Sequence, residues 1–89
     1  MIRHRNTSHA TSTVKAALKR VKVKADVRTL PQRDGSLLTK AVVTIATPAT
    51  LELALQALRS AGFDDVAPAN ITGKSATVYA RSWLPEGKR

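Results

Sequence analysis

A helical period marks the first apolar stretch of the chain. Apolar residues stand at i, i+3, i+4 and i+7, at Val14, Ala17, Leu18 and Val21. This spacing predicts a short helix of about two turns, which Ser12 or Thr13 could cap because a short side-chain oxygen accepts a free amide hydrogen of the first turn. The preceding residues 1–12 are polar and basic, and we expect them to form a flexible tail that buries nothing.

An alternating period follows and predicts two strands. Over residues 21–29, apolar or small residues at odd positions alternate with Lys, Asp and Arg at even positions, so the odd positions should face the core. Pro31 and the pair Asp34-Gly35 predict a turn. Residues 37–46 predict a second strand, which we expect to be central or covered on both faces because its outward positions are also partly apolar.

A longer helix is predicted after the second strand. Thr47 is a good N-cap and Pro48 a good first helical residue, and the following residues are mostly strong helix formers. Gly62 is well placed to end the helix, which we predict over residues 48–61. Its apolar stripe consists of Leu51, Ala54, Leu55, Leu58 and Ala61.

Two further strands complete an α+β fold. A short strand over residues 66–71 is broken by Pro68, which places it at a sheet edge or at a bulge, and a fourth strand is predicted over residues 75–83. We predict a short N-terminal helix and then ββαββ, with one long helix packed on one face of an antiparallel four-stranded sheet. The other face is open, or is covered by the first helix or by a second subunit. Residues 13–84 form this single domain, and residues 85–89 form a C-terminal tail.

Composition narrows the classes of function. The chain has 89 residues, 43% of them hydrophobic and only three aromatic, which suits one small core and leaves little room for a buried active site. It contains no Cys, which excludes disulfides, thiolate metal sites and cysteine nucleophiles and is consistent with a reducing cytoplasm. No apolar run of about 18 residues occurs, so we expect no membrane span, and the N-terminus does not resemble a secretory signal.

The residues that could carry out chemistry are scattered. His4 and His9 lie in the predicted tail, where we expect two solvated imidazoles rather than a metal pair. Asp64 and Asp65 are adjacent, and we expect them to belong to a turn or a helix end. Residues 73–75 are similar to the end of a phosphate loop, but the upstream glycine of that motif is replaced by proline. We therefore predict no enzyme, no catalytic residue, no metal site and no cofactor.

Charge is the strongest signal in the sequence. The formal net charge is +9, and it is unevenly distributed. Residues 1–25 carry seven basic groups and no acid, whereas residues 26–89 carry all six acids. A field of one sign over a quarter of the chain attracts polyanions, of which nucleic acid is the commonest.

The alternation places cations and aromatic rings on one sheet surface. Single-stranded nucleic acid is bound by such surfaces, because bases stack on the rings and phosphates follow Lys and Arg. We therefore predict a small, basic, non-enzymatic accessory protein that binds RNA or DNA, in single-stranded or structured form. The candidate binding residues are Arg3, Arg5, Lys15, Lys19 and Arg20 in the N-terminal segment and Lys22, Lys24, Arg28, Lys40, Tyr79, Arg81 and Trp83 on the sheet.

Three alternatives remain open at this point. The chain could be a small inhibitor or adaptor, of a kind common in phages and plasmids, that binds an acidic surface of a host protein. It could form a homodimer in which Tyr79 and Trp83 are covered, since Tyr and Trp are favoured anchors of protein interfaces. The basic N-terminal segment could also serve only to keep the protein in solution.

Overall fold

Two helices and four strands follow one another in the predicted order. The structure is a computed structural model that describes residues 2–85. Its elements are α1 (Thr7–Arg20), β1 (Ala25–Pro31), β2 (Ser36–Thr44), α2 (Thr50–Ser60), β3 (Asp64–Ala69) and β4 (Ser75–Trp83). The α+β class and the ββαββ order after an N-terminal helix are confirmed.

The four strands form one antiparallel sheet in the order β1-β2-β4-β3. β2 is therefore internal, and β3, which contains Pro68, is an edge strand as predicted. Alternate residues of each strand point to opposite faces, and the register defines two surfaces. The inner face contains Val27, Ala41 and Val78, and the outer face contains their neighbours in the chain.

Both helices pack against the inner face. α1 lies over β1 and β2, and α2 lies over β3 and β4. Val14 and Leu18 of α1 and Leu58 of α2 enter one core with the inner-face residues. α1 thus shares the inner face with α2, and the outer face is not covered by the first helix, which was one of the arrangements that the sequence left open.

α1 is longer than the sequence predicted. It has 14 residues and begins at Thr7, where Asn6 Oδ1 accepts a hydrogen bond of 2.8 Å from the backbone amide of His9. Ala10 extends the buried stripe of Val14 by one turn and is fully buried. The predicted start at Ser12 or Thr13 is wrong because a small Ala, which carries little hydrophobic signal, packs against the core one turn earlier.

The residues before α1 are paired with β4. The amide of Trp83 donates to the carbonyl of Ile2 at 3.0 Å, and the amide of His4 donates to the carbonyl of Trp83 at 2.8 Å. The His4 ring is 2% exposed and stacks on Phe63 with 5.3 Å between ring centroids. The predictions that residues 1–12 bury nothing and that His4 is solvated are therefore wrong, because backbone groups of Trp83 and an apolar ring beside it provide partners.

β1 begins at Ala25, four residues later than the strand predicted over residues 21–29. The amide of Val23 donates to the carbonyl of Leu18, the amide of Lys22 donates to the carbonyl of Lys19, and Lys22 has φ +58. These two bonds and the left-handed residue form a Schellman motif, which ends α1. Val21 and Val23 thus belong to a helix end, and only the alternation from Ala25 onward belongs to a strand.

α2 is shorter than predicted. It has 11 residues and is not a long helix. Its N-cap is Ala49, which makes no side-chain capping bond, so the prediction of Thr47 as N-cap is wrong. Pro48 and Ala49 form a turn closed by the Thr50 amide and the Thr47 carbonyl, and the helix begins only after it. Gly62, with φ +99, follows the helix end as expected.

The third strand differs from its predicted bounds, the C-terminal segment lies mostly outside the described residues, and the two helices bear on the expected absence of a membrane span. β3 begins at Asp64, two residues earlier than expected, and contains a bulge before Ala67. The predicted C-terminal tail falls mostly on residues 86–89, which lie outside the described residues. Neither α1 nor α2 has the length and apolar character that a membrane-crossing helix requires.

Candidate nucleic-acid interface

One row of side chains crosses the whole outer face. Arg28 of β1 is opposite Lys40 of β2, Lys40 is opposite Tyr79 of β4, and Tyr79 is opposite Ala67 of β3. Side chains opposite one another in an antiparallel pair lie on the same face. Arg28 and Lys40 are exposed, and Tyr79 is half-buried. The register thus brings together two of the candidate cations and one candidate ring.

Arg28 and Lys40 form a pair of like charges. Like charges directly opposite each other destabilise a sheet. In residues 2–85 the one ion pair is between Arg81 and Asp65, so neither Arg28 nor Lys40 is neutralised there by a carboxylate within salt-bridge distance. The acidic residue of β1, Asp26, lies two residues from Arg28 on the same face, but the two side chains are not within salt-bridge distance.

The β4 half of the outer face combines rings with carboxylates. Trp83 Nε1 donates a hydrogen bond of 3.0 Å to Asp64 Oδ2, which fixes one edge of the half-buried indole. Arg81 Nε lies 3.6 Å from Asp65 Oδ2. Arg81 is therefore paired, and its charge is less available to a ligand than those of Arg28 and Lys40.

Asp64 and Asp65 were not predicted to take part in this surface. Sequence reasoning assigned them to a turn or a helix end, whereas they form the start of β3 beside β4. Asp64 is in register with Arg81, and Asp65 has φ +52 at the bulge. The available signal was the Gly62 helix end, after which a strand could begin at once.

Apolar residues surround the cationic row. Leu30, 58% exposed, is opposite Leu38, and Val42, 37% exposed, is opposite Asp26. The cations of β1 and β2 therefore stand between two exposed apolar side chains. A ligand on this face would meet charge and hydrophobic surface together.

A groove runs along the exposed edge of β1, and we call it the edge groove. Its volume is ≈ 570 Å³. Its lining residues come from one helix and two strands: Lys15 of α1, Ala25, Asp26, Val27 and Arg28 of β1, and Lys40 and Val42 of β2. A smaller groove of ≈ 280 Å³ adjoins it, shares Lys15, Ala25 and Val27 with it, and is also lined by Lys24. Four candidate cations therefore line two neighbouring depressions.

The other candidate cations lie away from the row. Lys22 is in the α1–β1 connection rather than on the sheet, and Lys24 precedes the first residue of β1. Lys19 and Arg20 are exposed in the last turn of α1. Arg3 Nη1 donates to the carbonyl of Leu84 at 2.8 Å, and Arg5 is exposed before the helix.

A cluster of rings lies beside the C-terminal end of β4, where His4 is hydrogen-bonded to the backbone of Trp83. The His4 and His9 ring centroids are 5.0 Å apart in an edge-to-face arrangement. Burial and, secondarily, the neighbouring His9 hold the pKa of His4 below its usual value, so His4 favours the neutral form. Within residues 2–85, no group of three or more His, Asp or Glu side chains is arranged to hold a metal ion.

Comparison of the chain with protein-family models, with curated proteins and with solved structures gives no match. Function is therefore inferred from the surfaces of this molecule alone. Among them, the outer face is a surface on which the register gathers several candidate residues. It carries exposed cations, partly exposed rings and exposed apolar side chains together.

Proposed function

We propose that this protein binds nucleic acid, without catalysis, through the outer face of its sheet. The observation that carries the proposal is the row formed by Arg28, Lys40 and Tyr79 on a face that neither helix covers. Cations supply attraction to phosphates, and a ring supplies a platform for a base. RNA and DNA present both features, and the row does not distinguish between them.

The like-charge pair supports a polyanionic ligand. Arg28 and Lys40 oppose each other across β1 and β2, at some expense to the stability of the free protein. A phosphate group placed between them would convert this repulsion into two attractive interactions. Contacts of this kind release counterions from the nucleic acid and therefore weaken as salt rises.

The rings support contact with unpaired bases. Tyr79 and Trp83 are both partly exposed on the outer face of β4. Stacking of a base on such a ring contributes about 1–3 kcal/mol. The hydrogen bond between Trp83 and Asp64 holds the indole in one orientation, which reduces the entropy that would be lost on binding.

The remaining basic residues add a field rather than specific contacts. Lys19 and Arg20 are exposed in the last turn of α1, and no acidic residue occurs in residues 1–25. Such a field raises the rate of association with any polyanion and carries no sequence information. We therefore expect modest affinity and little base specificity.

The proposal is tested by fluorescence anisotropy of a labelled single-stranded oligonucleotide of about 12 nucleotides. We expect binding at about 50 mM salt that weakens strongly at about 200 mM. The double variant Arg28→Gln/Lys40→Gln should bind about tenfold more weakly at the lower salt concentration. Absence of binding at low salt both to this strand and to the corresponding duplex, or binding that salt does not change, would contradict the proposal.

A matched control separates the row from net charge. Arg33 lies in the β1–β2 turn and Lys74 in the β3–β4 turn, and both are exposed. The double variant Arg33→Gln/Lys74→Gln loses the same charge and should retain most of the affinity. Equal losses in the two double variants would show that net charge, not the row, attracts the ligand.

The exposed apolar residues favour one alternative, an adaptor that binds an acidic protein surface. Leu30 and Val42 flank the cationic row, as apolar anchors flank charges in protein interfaces. This alternative predicts weak oligonucleotide binding that does not depend on Tyr79.

A homodimer through the same face predicts twice the monomer mass in light scattering, and Leu30→Ser would return it to the monomer.

A further inference from the structure

We propose that the ligand is single-stranded and lies along the sheet strands, with its phosphates in the edge groove and its bases on the rings of β4. This inference rests on the proposed function and specifies the form of the nucleic acid. It depends on how charges and rings are divided between the two halves of the outer face.

Cations gather on one side of the face and rings on the other. Arg28 is on β1 and Lys40 on β2, whereas Tyr79 and Trp83 are on β4. About two strand spacings, or about 10 Å, separate the backbone of β1 from that of β4. A nucleotide whose phosphate meets Arg28 and Lys40 can therefore extend its base across β2 toward Tyr79.

The edge groove provides a track for the phosphates. Lys15 reaches it from α1, on the other side of the sheet, while Arg28 and Lys40 line it from the outer face. Cations from three elements thus surround one concave surface, and Asp26 is the acid among its lining residues. Lys24 in the adjoining groove extends the track toward the start of β1.

The opposite half of the face disfavours a second phosphate backbone. Asp64 and Asp65 lie at the β3 side of Arg81 and Trp83. A duplex laid on this surface would place its second backbone close to these carboxylates and would keep its bases stacked inside the helix, away from Tyr79. A single strand has one backbone and open bases, which matches one cationic side and one aromatic side.

The test compares three labelled probes of equal length and sequence origin: a single strand, the corresponding blunt duplex, and an abasic strand that keeps the phosphates. At low salt the single strand should bind at least tenfold more tightly than either of the others. Tyr79→Ala should weaken binding of the single strand by about tenfold and leave the abasic strand unaffected, and Tyr79→Phe should restore binding.

Lys15→Gln tests the phosphate track, because Lys15 belongs to the edge groove but not to the outer face itself. The slope of log affinity against log salt concentration should fall by about 0.7 for the single strand. Lys74→Gln, which removes the same charge outside the groove, should leave the slope unchanged. Circular dichroism melts of both variants establish that each is folded, since both side chains are exposed.

The outcomes separate this inference from the proposed function. If none of the probes binds at low salt, the proposed function is wrong and the inference fails with it. If the duplex or the abasic strand binds as tightly as the single strand, the protein still binds nucleic acid but the inference is wrong. Equal salt slopes for Lys15→Gln and Lys74→Gln would remove the phosphate track from the proposal.

Discussion

At the scale of single residues, His4 combines deep burial with a titratable ring. Its imidazole lies against Phe63 and the edge of His9, and its Nδ1 has no hydrogen-bond partner among the described residues. A charged imidazole would be poorly solvated in this position. Burial, with a smaller contribution from His9, therefore lowers the pKa of His4 from its ordinary value of 6.5.

This lowered pKa predicts loss of stability in mild acid. Below about pH 6.5 the unfolded chain takes up a proton at His4 before the folded protein does, so the free energy of unfolding falls as pH falls. His4→Phe keeps a ring against Phe63 and removes this titration. Urea unfolding at about pH 7.5 and about pH 5 should show a smaller pH dependence for the variant. An unchanged pH dependence would mean that His4 is not the responsible group.

At the scale of elements, the two helices end in the same way with different residues. In α2 the amides of Gly62 and Phe63 donate to the carbonyls of Arg59 and Leu58, which is the Schellman pattern seen at the end of α1. Gly62 has φ +99, whereas the equivalent position of α1 is Lys22, with φ +58. A side chain in the left-handed region costs about 1–2 kcal/mol, a cost that glycine does not have.

Lys22→Gly should therefore raise the free energy of unfolding by about 1 kcal/mol. The greater conformational entropy of glycine in the unfolded chain reduces this gain. Gly62→Ala should have the opposite effect, because an L side chain is strained at φ +99, and its Cβ, in ordinary contact with Ile2 Cβ at 3.5 Å, would not offset that strain. Chemical denaturation of both variants measures the two changes. Destabilisation by Lys22→Gly would contradict the assignment of Lys22 to the helix end.

Element bounds follow from the sequence only where a local pattern or a turn residue marks them. β4 was predicted with its observed bounds, because strict alternation between turn residues identifies a strand. The end of α2 was predicted from Gly62, but the end of α1 was missed because Lys22 gives no such signal. The pairing of Ile2 with Trp83 joins residues far apart in the chain, and no local pattern predicts it.

In the candidate site, too, the sequence predicts the face on which a residue lies but not its neighbours across the sheet. Alternation alone placed Arg28, Lys40 and Tyr79 on one surface, because each lies inside a regular strand. The register that aligns them in one row is a property of the folded sheet. The contacts of Asp64 and Asp65 with Trp83 and Arg81 also depend on the position of β3 beside β4, which no spacing in the sequence encodes.

At the scale of the whole molecule, charge is in excess and little of it is paired. The net charge is +9 over 89 residues, and the described residues form one ion pair, between the half-buried Arg81 and the exposed Asp65. Repulsion between the cations of α1, β1 and β2 therefore opposes folding of the free protein. The same cations are those that we propose to be neutralised by a bound strand.

Salt should consequently have opposite effects on the free and the bound protein. Screening reduces repulsion over distances beyond about 10 Å at 0.1 M salt and about 3 Å at 1 M, so the free protein should melt at a higher temperature as salt rises. An oligonucleotide at about 100 times its Kd should add about 2.7 kcal/mol of stability at low salt, and this increment should vanish at high salt because the affinity falls. Thermal melts at about 50 mM and about 500 mM salt, with and without the single strand, measure both effects. As salt rises, the melting temperature of the free protein should rise and that of the bound protein should fall until the two are equal. If the oligonucleotide still raises the melting temperature at high salt, the ligand is held by contacts other than those between cations and phosphates.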